Sequence, residues 1–477
     1  MEKQLTRKGR IGVLLICSMS LLMVGLDVTA VNVALPSIDS DLNASISGLQ
    51  WTVSAYTVVM ASFLMFSGST ADRFGRRRIL ILGLSVFTLG SLMCGLAPSI
   101  GFLIAARVLQ ALGGSMMNPV AMSIITNTFT DPRERAQAIG IWGAAFGLSM
   151  ALGPIVGGIL VTAFDWRAIF MINIPVGFIA VMLILRYVPE SRAAKARRFD
   201  PIGQSLMIVL LAAVTFGIIE APKLGWTSPV ILGSFIASGL ALLAILFYEP
   251  RRDEPLIDLR FFRSVPFSAA VVILISAFAA FGGFLFLSTL YLQEVRDFTP
   301  IQAGLATVPL ALMTVLSSPL SGRLVGRHGP RPSLLIAGVC LVTACAMLTQ
   351  IGQDTPIAWL IAAYVIFGTG FGFVNTPATN AAVSGMPRAQ AGTASAIATT
   401  SRQFGQALGV AVVGAIVTSQ VGQSLNSGLS AASVPAWWTL TAFGGAVLLF
   451  AILATTKWSE GTARTTAIKL NPEAIPE

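Results

Sequence analysis

Charge is scarce in this chain. Only 11% of its 477 residues are Asp, Glu, Lys or Arg, against roughly 25% in a soluble protein. Acids are the scarcer kind: 21 Asp and Glu stand against 31 Lys and Arg, giving a formal net charge of +10. Histidine is nearly absent, and His328 alone cannot build a zinc site. The four cysteines, Cys17, Cys94, Cys340 and Cys345, all sit in apolar runs. None has metal-ligand spacing, and no disulfide framework follows from them. No nucleophile–base set is visible, which argues against an enzyme. No soluble segment is long enough for an ATPase domain, so energy comes from an ion gradient or from nothing. "GTGFG" (Gly368 to Gly372) has a phosphate-loop look, but it lies in an apolar helix without the strand context or the lysine that nucleotide binding needs.

What is present is hydrophobicity: 55% of the residues are apolar or aromatic. The apolar residues form runs, and a helix needs about 20 of them to cross the hydrocarbon core. Fourteen runs qualify: 11–36, 49–70, 79–98, 100–127, 137–163, 167–188, 201–222, 228–248, 265–292, 301–322, 333–351, 356–385, 392–420 and 435–456. The expected class is an all-α polytopic membrane protein. The first run is too long for the apolar part of a cleaved signal peptide, so it reads as an uncleaved span.

The charges fall in short clusters between the runs, which points to membrane topology and away from nucleic acid. One alternate set of flanks holds Lys3, Arg7, Lys8, Arg10, Arg73, Arg76, Arg77, Arg78, Arg133, Arg135, Arg186, Arg192, Lys195, Arg197 and Arg198. It continues with Arg251, Arg252, Arg260, Arg263, Arg323, Arg327, Arg331, Arg388, Lys457, Arg464 and Lys469. The other set holds only Arg167, Lys223 and Arg296. The basic side faces the cytoplasm. Both termini are therefore expected there, in a multi-pass protein of the inner (plasma) membrane. Two basic residues, Arg107 and Arg402, lie inside runs.

The chain repeats itself. "GSTADRFGRRR" (Gly68 to Arg78) follows the second span, and "GRLVGRHGPR" (Gly322 to Arg331) follows the tenth. "GSMMNP" (Gly114 to Pro119) and "GFVNTP" (Gly372 to Pro377) pair at nearly the same offset. Two six-helix bundles are expected, 1–190 and 264–456. A linker and two inserted spans occupy 191–263, and a cytoplasmic tail occupies 457–477. Parallel six-helix repeats with a site between them are a transporter architecture.

Four stretches now carry a family resemblance. They are "LDVTAVNVALP" in the first span, "GSTADRFGRRR", "RVLQALGGSMMNP" in the fourth span and "GLSMALGPIVGG" in the fifth. Together with the span count and the repeat, they resemble the major facilitator superfamily, and within it the fourteen-span drug:proton antiporter family. The resemblance implies a major facilitator fold and efflux of amphiphilic or cationic drugs by alternating access. It implies that a proton gradient serves in place of any cofactor. The partners are then a small substrate, protons and the bilayer, and a monomer suffices. Alternatives are a dedicated exporter of one natural product, lipid or amino acid, and a non-transporting receptor or scaffold.

The candidate residues follow. Asp27 lies in the outer half of the first span, at a depth similar to Arg107 in the fourth. Charges at such depth are costly unless paired or facing a wet cavity. Burial disfavours a carboxylate's charge and a neighbouring guanidinium favours it, so a carboxylate whose neighbours move can take up and release a proton. Asp27 and Arg107 are therefore candidates for proton coupling or substrate contact, with a structural ion pair as the alternative. Glu220 stands at the outer end of the seventh span near Lys223, and Arg402 stands inside the thirteenth, whose bundle offers no acid in its spans. A water cavity, backbone carbonyls, an anionic substrate or a purely structural role are open for Arg402.

In the loop, Gly68 and Gly75 permit a tight turn. Asp72 can accept helix N-terminal N–H groups, and the arginines can bridge neighbouring helices. The resemblance implies a conformational latch of Gly68, Asp72, Arg73, Gly75, Arg76 and Arg77, weaker in the second copy, where Gly326 replaces Asp72. In the fifth span, Gly143, Gly147, Ala151, Gly153, Gly157 and Gly158 allow close helix packing, and Pro154 frees backbone groups. The resemblance implies an antiporter hinge at Gly147, Gly153, Pro154, Gly157 and Gly158.

Overall fold

The computed structural model describes residues 6–192, 199–252, 254–383, 391–421 and 429–470. Lys3, Lys195, Arg197, Arg198 and Arg388 lie outside the described residues, as do parts of the 191–263 linker and the 457–477 tail and the last two residues of the 356–385 span.

Helices follow one another from end to end. The first series is α1 (Arg7–Leu42), α2 (Ile46–Phe74), α3 (Arg76–Gly95), α4 (Ile100–Thr128), α5 (Pro132–Ala163), α6 (Ala168–Met171) and α7 (Asn173–Tyr187). Next come α8 (Pro201–Leu224) and α9 (Pro229–Tyr248), then short turns at Glu249–Arg251 and Leu259–Arg263. The second series is α10 (Val265–Leu290), α11 (Pro300–Ala306), α12 (Val308–His328), α13 (Pro330–Leu348), α14 (Ile357–Val383), α15 (Ala391–Val421) and α16 (Leu429–Ala454), and α17 (Lys457–Leu470) follows. No strand occurs among the described residues.

Among the described residues every expected span is helical over most of its length, and several starts are set by local chemistry. Ser99, Asp131, Asp200 and Ser228 each accept a hydrogen bond from the first turn of α4, α5, α8 and α9, satisfying N–H groups that a helix cannot pair internally. Pro132, Pro201 and Pro229 follow three of these caps, where a missing N–H costs nothing. Thirteen helices among the described residues are long and apolar enough to cross a membrane. The remaining expected span, the thirteenth in order, is α15, which has the length, at 31 residues, and carries Thr399, Thr400, Ser401, Arg402, Gln403 and Gln406 in one polar stretch. The tail is not simply a trailing strand of chain. α17 buries Ser459, and its Thr462 hydroxyl accepts from the Val265 N–H at 3.0 Å.

Two compact units result. One comprises Met1–Ala44, Phe63–Phe199 and Thr299–Leu305; the other comprises Ser45–Ser62, Asp200–Phe298 and Ala306–Glu477. In the first, α1 packs on α4, α5 and α7, and α3 packs on α4 and α7. In the second, α10 packs on α14, α15 and α16, and α13 packs on α14 and α16. The same pairings recur between helices at matching repeat positions. The loop copies match in backbone as well: Gly75 and Gly329 both take positive φ, at 111° and 76°, and each starts the next helix. A side chain at either position would be strained.

The inserted pair α8–α9 belongs to the second unit. Met207, Leu211 and Ile245 pack there with Val58, Ala61 and Ala407. Two polar side chains key α8 onto α2: Gln204 donates to the Ser62 carbonyl at 2.6 Å, and Glu220 accepts from the Trp51 indole.

Candidate functional site

Asp27 and Arg107 meet. The Arg107 Nη1 donates to Asp27 Oδ2 at 2.5 Å, and the two side chains are 1% and 0% exposed. Arg107 and Gln110 lie one turn apart on α4, so they share a face. Gln110 Nε2 donates to Asp27 Oδ1 at 2.8 Å and to Ser91 Oγ at 2.8 Å, while its Oε1 accepts from Arg107 at 2.6 Å. Asn173, the first residue of α7, reaches Asp27 Oδ1 at 3.5 Å and Ser91 at 3.3 Å. The Phe170 ring stands 5.7 Å from the guanidinium carbon. The charge is thus balanced within a buried, hydrogen-bonded cluster drawn from α1, α3, α4 and α7. A low dielectric strengthens each of these bonds and makes loss of any member expensive.

Glu220 and Arg402 find other partners. Glu220 Oε1 accepts from Trp51 Nε1 at 2.7 Å. Arg402 donates to two threonine hydroxyls, Thr399 on its own helix at 3.2 Å and Thr379 on α14. Its Nε is buried with no partner.

At the α2–α3 loop the expectation for Asp72 needs correcting. Asp72 accepts from Arg76, at 2.9 Å to Nη2 and 3.2 Å to Nε. The N–H of Arg77, at the start of α3, is taken by Glu190 Oε1 at 3.1 Å. Glu190 also sits against Gly75, where a Cβ would lie 2.6 Å from that oxygen. Arg77 Nη2 donates to the Leu185 carbonyl at 2.5 Å, and Arg73 stacks over Phe199 at 5.2 Å. The arginines therefore bridge to the end of α7 and beyond, but the helix cap comes from a residue 113 positions away in sequence. A Cβ on Gly68 would lie 4.0 Å from Pro119 on α4, and one on its repeat partner Gly322 would lie 3.9 Å from Thr376, both ordinary contacts.

The Major Facilitator Superfamily profile matches residues 17–410. The chain belongs to the Major Facilitator Superfamily. Among curated relatives, it is 36% identical over 419 residues to the multidrug resistance protein Stp of Mycobacterium tuberculosis, covering 88% of this chain and 78% of that one. It is 36% identical over 458 residues to the puromycin resistance protein pur8 of Streptomyces alboniger, covering 93% and 90%. It is 35% identical over 425 residues to the tetracenomycin C resistance and export protein of Streptomyces glaucescens, covering 88% and 78%. Its fold is similar to a crystal structure of the peptide transporter POT in complex with sulfate, at a TM-score of 0.70 with 16% identity over 97% of each chain. It is also similar to the nucleoside transporter NupG, at 0.66 with 12% identity, covering 94% of this chain and 100% of that one. This superfamily member is a multi-pass membrane protein.

Within that frame the α5 glycines have specific neighbours. A Cβ on Gly153 would lie 1.8 Å from the Thr29 hydroxyl, and one on Gly157 would lie 3.0 Å from Ala30 Cα, both on α1. A Cβ on Gly158 would meet the Pro300 carbonyl at 2.7 Å, and one on Gly304 of α11 would meet the Pro154 carbonyl at 2.2 Å. Three glycines and the proline of the motif are therefore contact points on two sides of α5. Gly147 is half-buried, and Gly143 faces open space, so the small-residue stripe is not packed along its whole length.

Several side chains escaped the sequence reading. Gln110 was within the quoted fourth-span motif, and its spacing from Arg107 was the available signal. Asn173 was a lone amide at a helix start. Glu190 gave no local signal. Asp200 and Glu249, 6% and 1% exposed, each leave one carboxylate oxygen buried without a partner. Both of those oxygens point at Gly203, 2.7 Å and 2.4 Å from where a Cβ would stand. Only the return of α9 beside α8 brings them together.

Proposed function

We propose that this chain exports amphiphilic compounds, drugs and cationic drugs among them, from the cytoplasm in exchange for protons. The observation that carries the reading is the buried Asp27–Arg107 pair in the outer half of the first bundle. Only this carboxylate lies deep in an apolar run, and its charge is balanced by one guanidinium. Movement of Arg107 or Gln110 away from Asp27 exchanges a matched anion for one that gains from taking a proton. In alternating access such movement accompanies rocking of the two six-helix bundles, 1–190 and 264–456. The α2–α3 loop serves as the latch, and the glycine contacts of α5 with α1 serve as the hinge beside Asp27. The protein works as a monomer in the inner membrane with both termini in the cytoplasm, needing no cofactor beyond the gradient.

Resistance and export are in the names of the relatives, which supports efflux over a receptor or scaffold. Relatives named for a single compound, tetracenomycin C or puromycin, favour as a second reading a dedicated exporter of one natural product. Reconstitution tests both. Proteoliposomes carrying a pH-sensitive dye should release protons when a panel of lipophilic cations and antibiotics is added. Release with one compound alone would establish the dedicated exporter, and none with any compound would remove the antiport reading.

A further inference from the structure

Arg107 and Arg402 pose the same physical problem and receive opposite answers. Arg107 is given a carboxylate and an amide by its own bundle. Arg402 lies about 16 Å into α15 at 1.5 Å per residue, and α10, α12, α13, α14, α15 and α16 contain no Asp or Glu at all. No ion pair among the described residues includes it. Its two hydroxyl partners, Thr399 and Thr379, are neutral, and its Nε–H is buried with nothing to donate to. An uncompensated guanidinium at this depth is expensive. The surroundings are polar. Arg402, Thr379 and Asn375 are half-buried, and Thr376 and Asn380 beside them on α14 are exposed.

We propose that Arg402 is the docking point for an acidic group on the transported molecule, a carboxylate carried on an apolar body. A guanidinium presents Nε–H and a neighbouring Nη–H in a planar fork that matches the two oxygens of a carboxylate. Thr399 takes Nη1 and Thr379 takes one hydrogen of Nη2, which leaves Nε–H and the second Nη2 hydrogen for the incoming group. The proposal rests on the export reading and names a substrate class for it, lipophilic monoanions in addition to cations.

The test uses a matched pair of probes, 1-pyrenebutyric acid and its primary amide, which share one apolar body. Binding to the purified full-length protein in nanodiscs is read by energy transfer from tryptophan to pyrene, with empty nanodiscs subtracted. The wild type should hold the acid about tenfold more tightly than the amide, a difference of about 1.4 kcal/mol. Arg402→Gln should reduce the preference below about twofold while leaving amide affinity in place, and Arg402→Lys, a point charge without the fork, should retain part of it. The ligand-free Arg402→Gln protein should melt no lower than the wild type, because a buried charge without an acid is removed. An unchanged acid preference in Arg402→Gln, no preference in the wild type, or a marked loss of thermal stability in the variant would each overturn the proposal. Efflux of ethidium driven by a pH gradient is the independent arm. If it fails while Arg402-dependent acid binding persists, the export reading falls and the anion site stands. If it succeeds while acid binding ignores Arg402, the reverse holds.

Discussion

Removing the charge of Asp27 should separate its structural work from its coupling work. Asp27→Asn keeps the size of the side chain but withdraws the carboxylate that neutralises Arg107 at 2.5 Å. It also sets an amide N–H₂ against donors from Gln110 and Asn173. Breaking a buried pair from one side costs about 3–5 kcal/mol. Arg107→Gln, breaking it from the other side, should cost a similar amount. Removing both charges together is a different perturbation, because neutral groups in a buried site cost little once hydrogen-bonded. Asp27→Asn with Arg107→Gln should lie within about 2 kcal/mol of the wild type, giving a coupling energy of several kcal/mol in the double-mutant cycle. The measurement is equilibrium unfolding in mixed micelles with rising SDS, on all four proteins. Additive losses would refute the view that the pair is held together by its mutual neutralisation. The double variant then serves as a folded protein without the titratable site. It should bind substrate yet fail to couple efflux to a pH gradient, and full coupling in it would remove Asp27 from the proton path.

Other substitutions probe single contacts. Gly153→Ala should destabilise the protein by about 1–3 kcal/mol through overpacking, since the new methyl would overlap the Thr29 hydroxyl. Adding Thr29→Ala should recover part of that loss in the thermal midpoint, and no recovery would mean that another contact resists the methyl. Glu190→Gln should cost about 1 kcal/mol of thermal stability as a weakened cap of α3, whereas Asp72→Asn should leave that cap intact; equal effects would contradict the assignment of the cap to Glu190. Trp51→Phe, which deletes the indole donor to Glu220, should cost about 1–3 kcal/mol, and the loss should largely vanish in a Glu220→Met background. Glu249→Gln should raise the melting temperature at pH 8, because an amide N–H₂ then replaces one of the two oxygens that have no donor and can donate to Asp200, the other; a fall would show that the facing carboxylates are already bridged.

The sequence by itself determined what is governed by local, repeating rules. Span positions follow from the length that the hydrocarbon demands, and the starts of α4, α5, α8 and α9 follow from the Ser, Asp and Pro that open them. The repeat was legible because Gly75 and Gly329 serve one backbone need, a positive φ between two helices. Matching depth even foretold that Asp27 and Arg107 would lie level. Contacts across the bundle were another matter. Side-chain partners are set by how helices rotate and cross, and no periodicity encodes that rotation for a helix apolar on every face. Glu190 caps α3 from the far end of α7, and Trp51 holds Glu220 across two helices. Asp200 faces Glu249 only because α9 returns beside α8. The same limit concealed the contrast between the two arginines inside the spans. Sequence placed both in apolar helices, and tertiary structure gave a carboxylate to one and only two hydroxyls to the other.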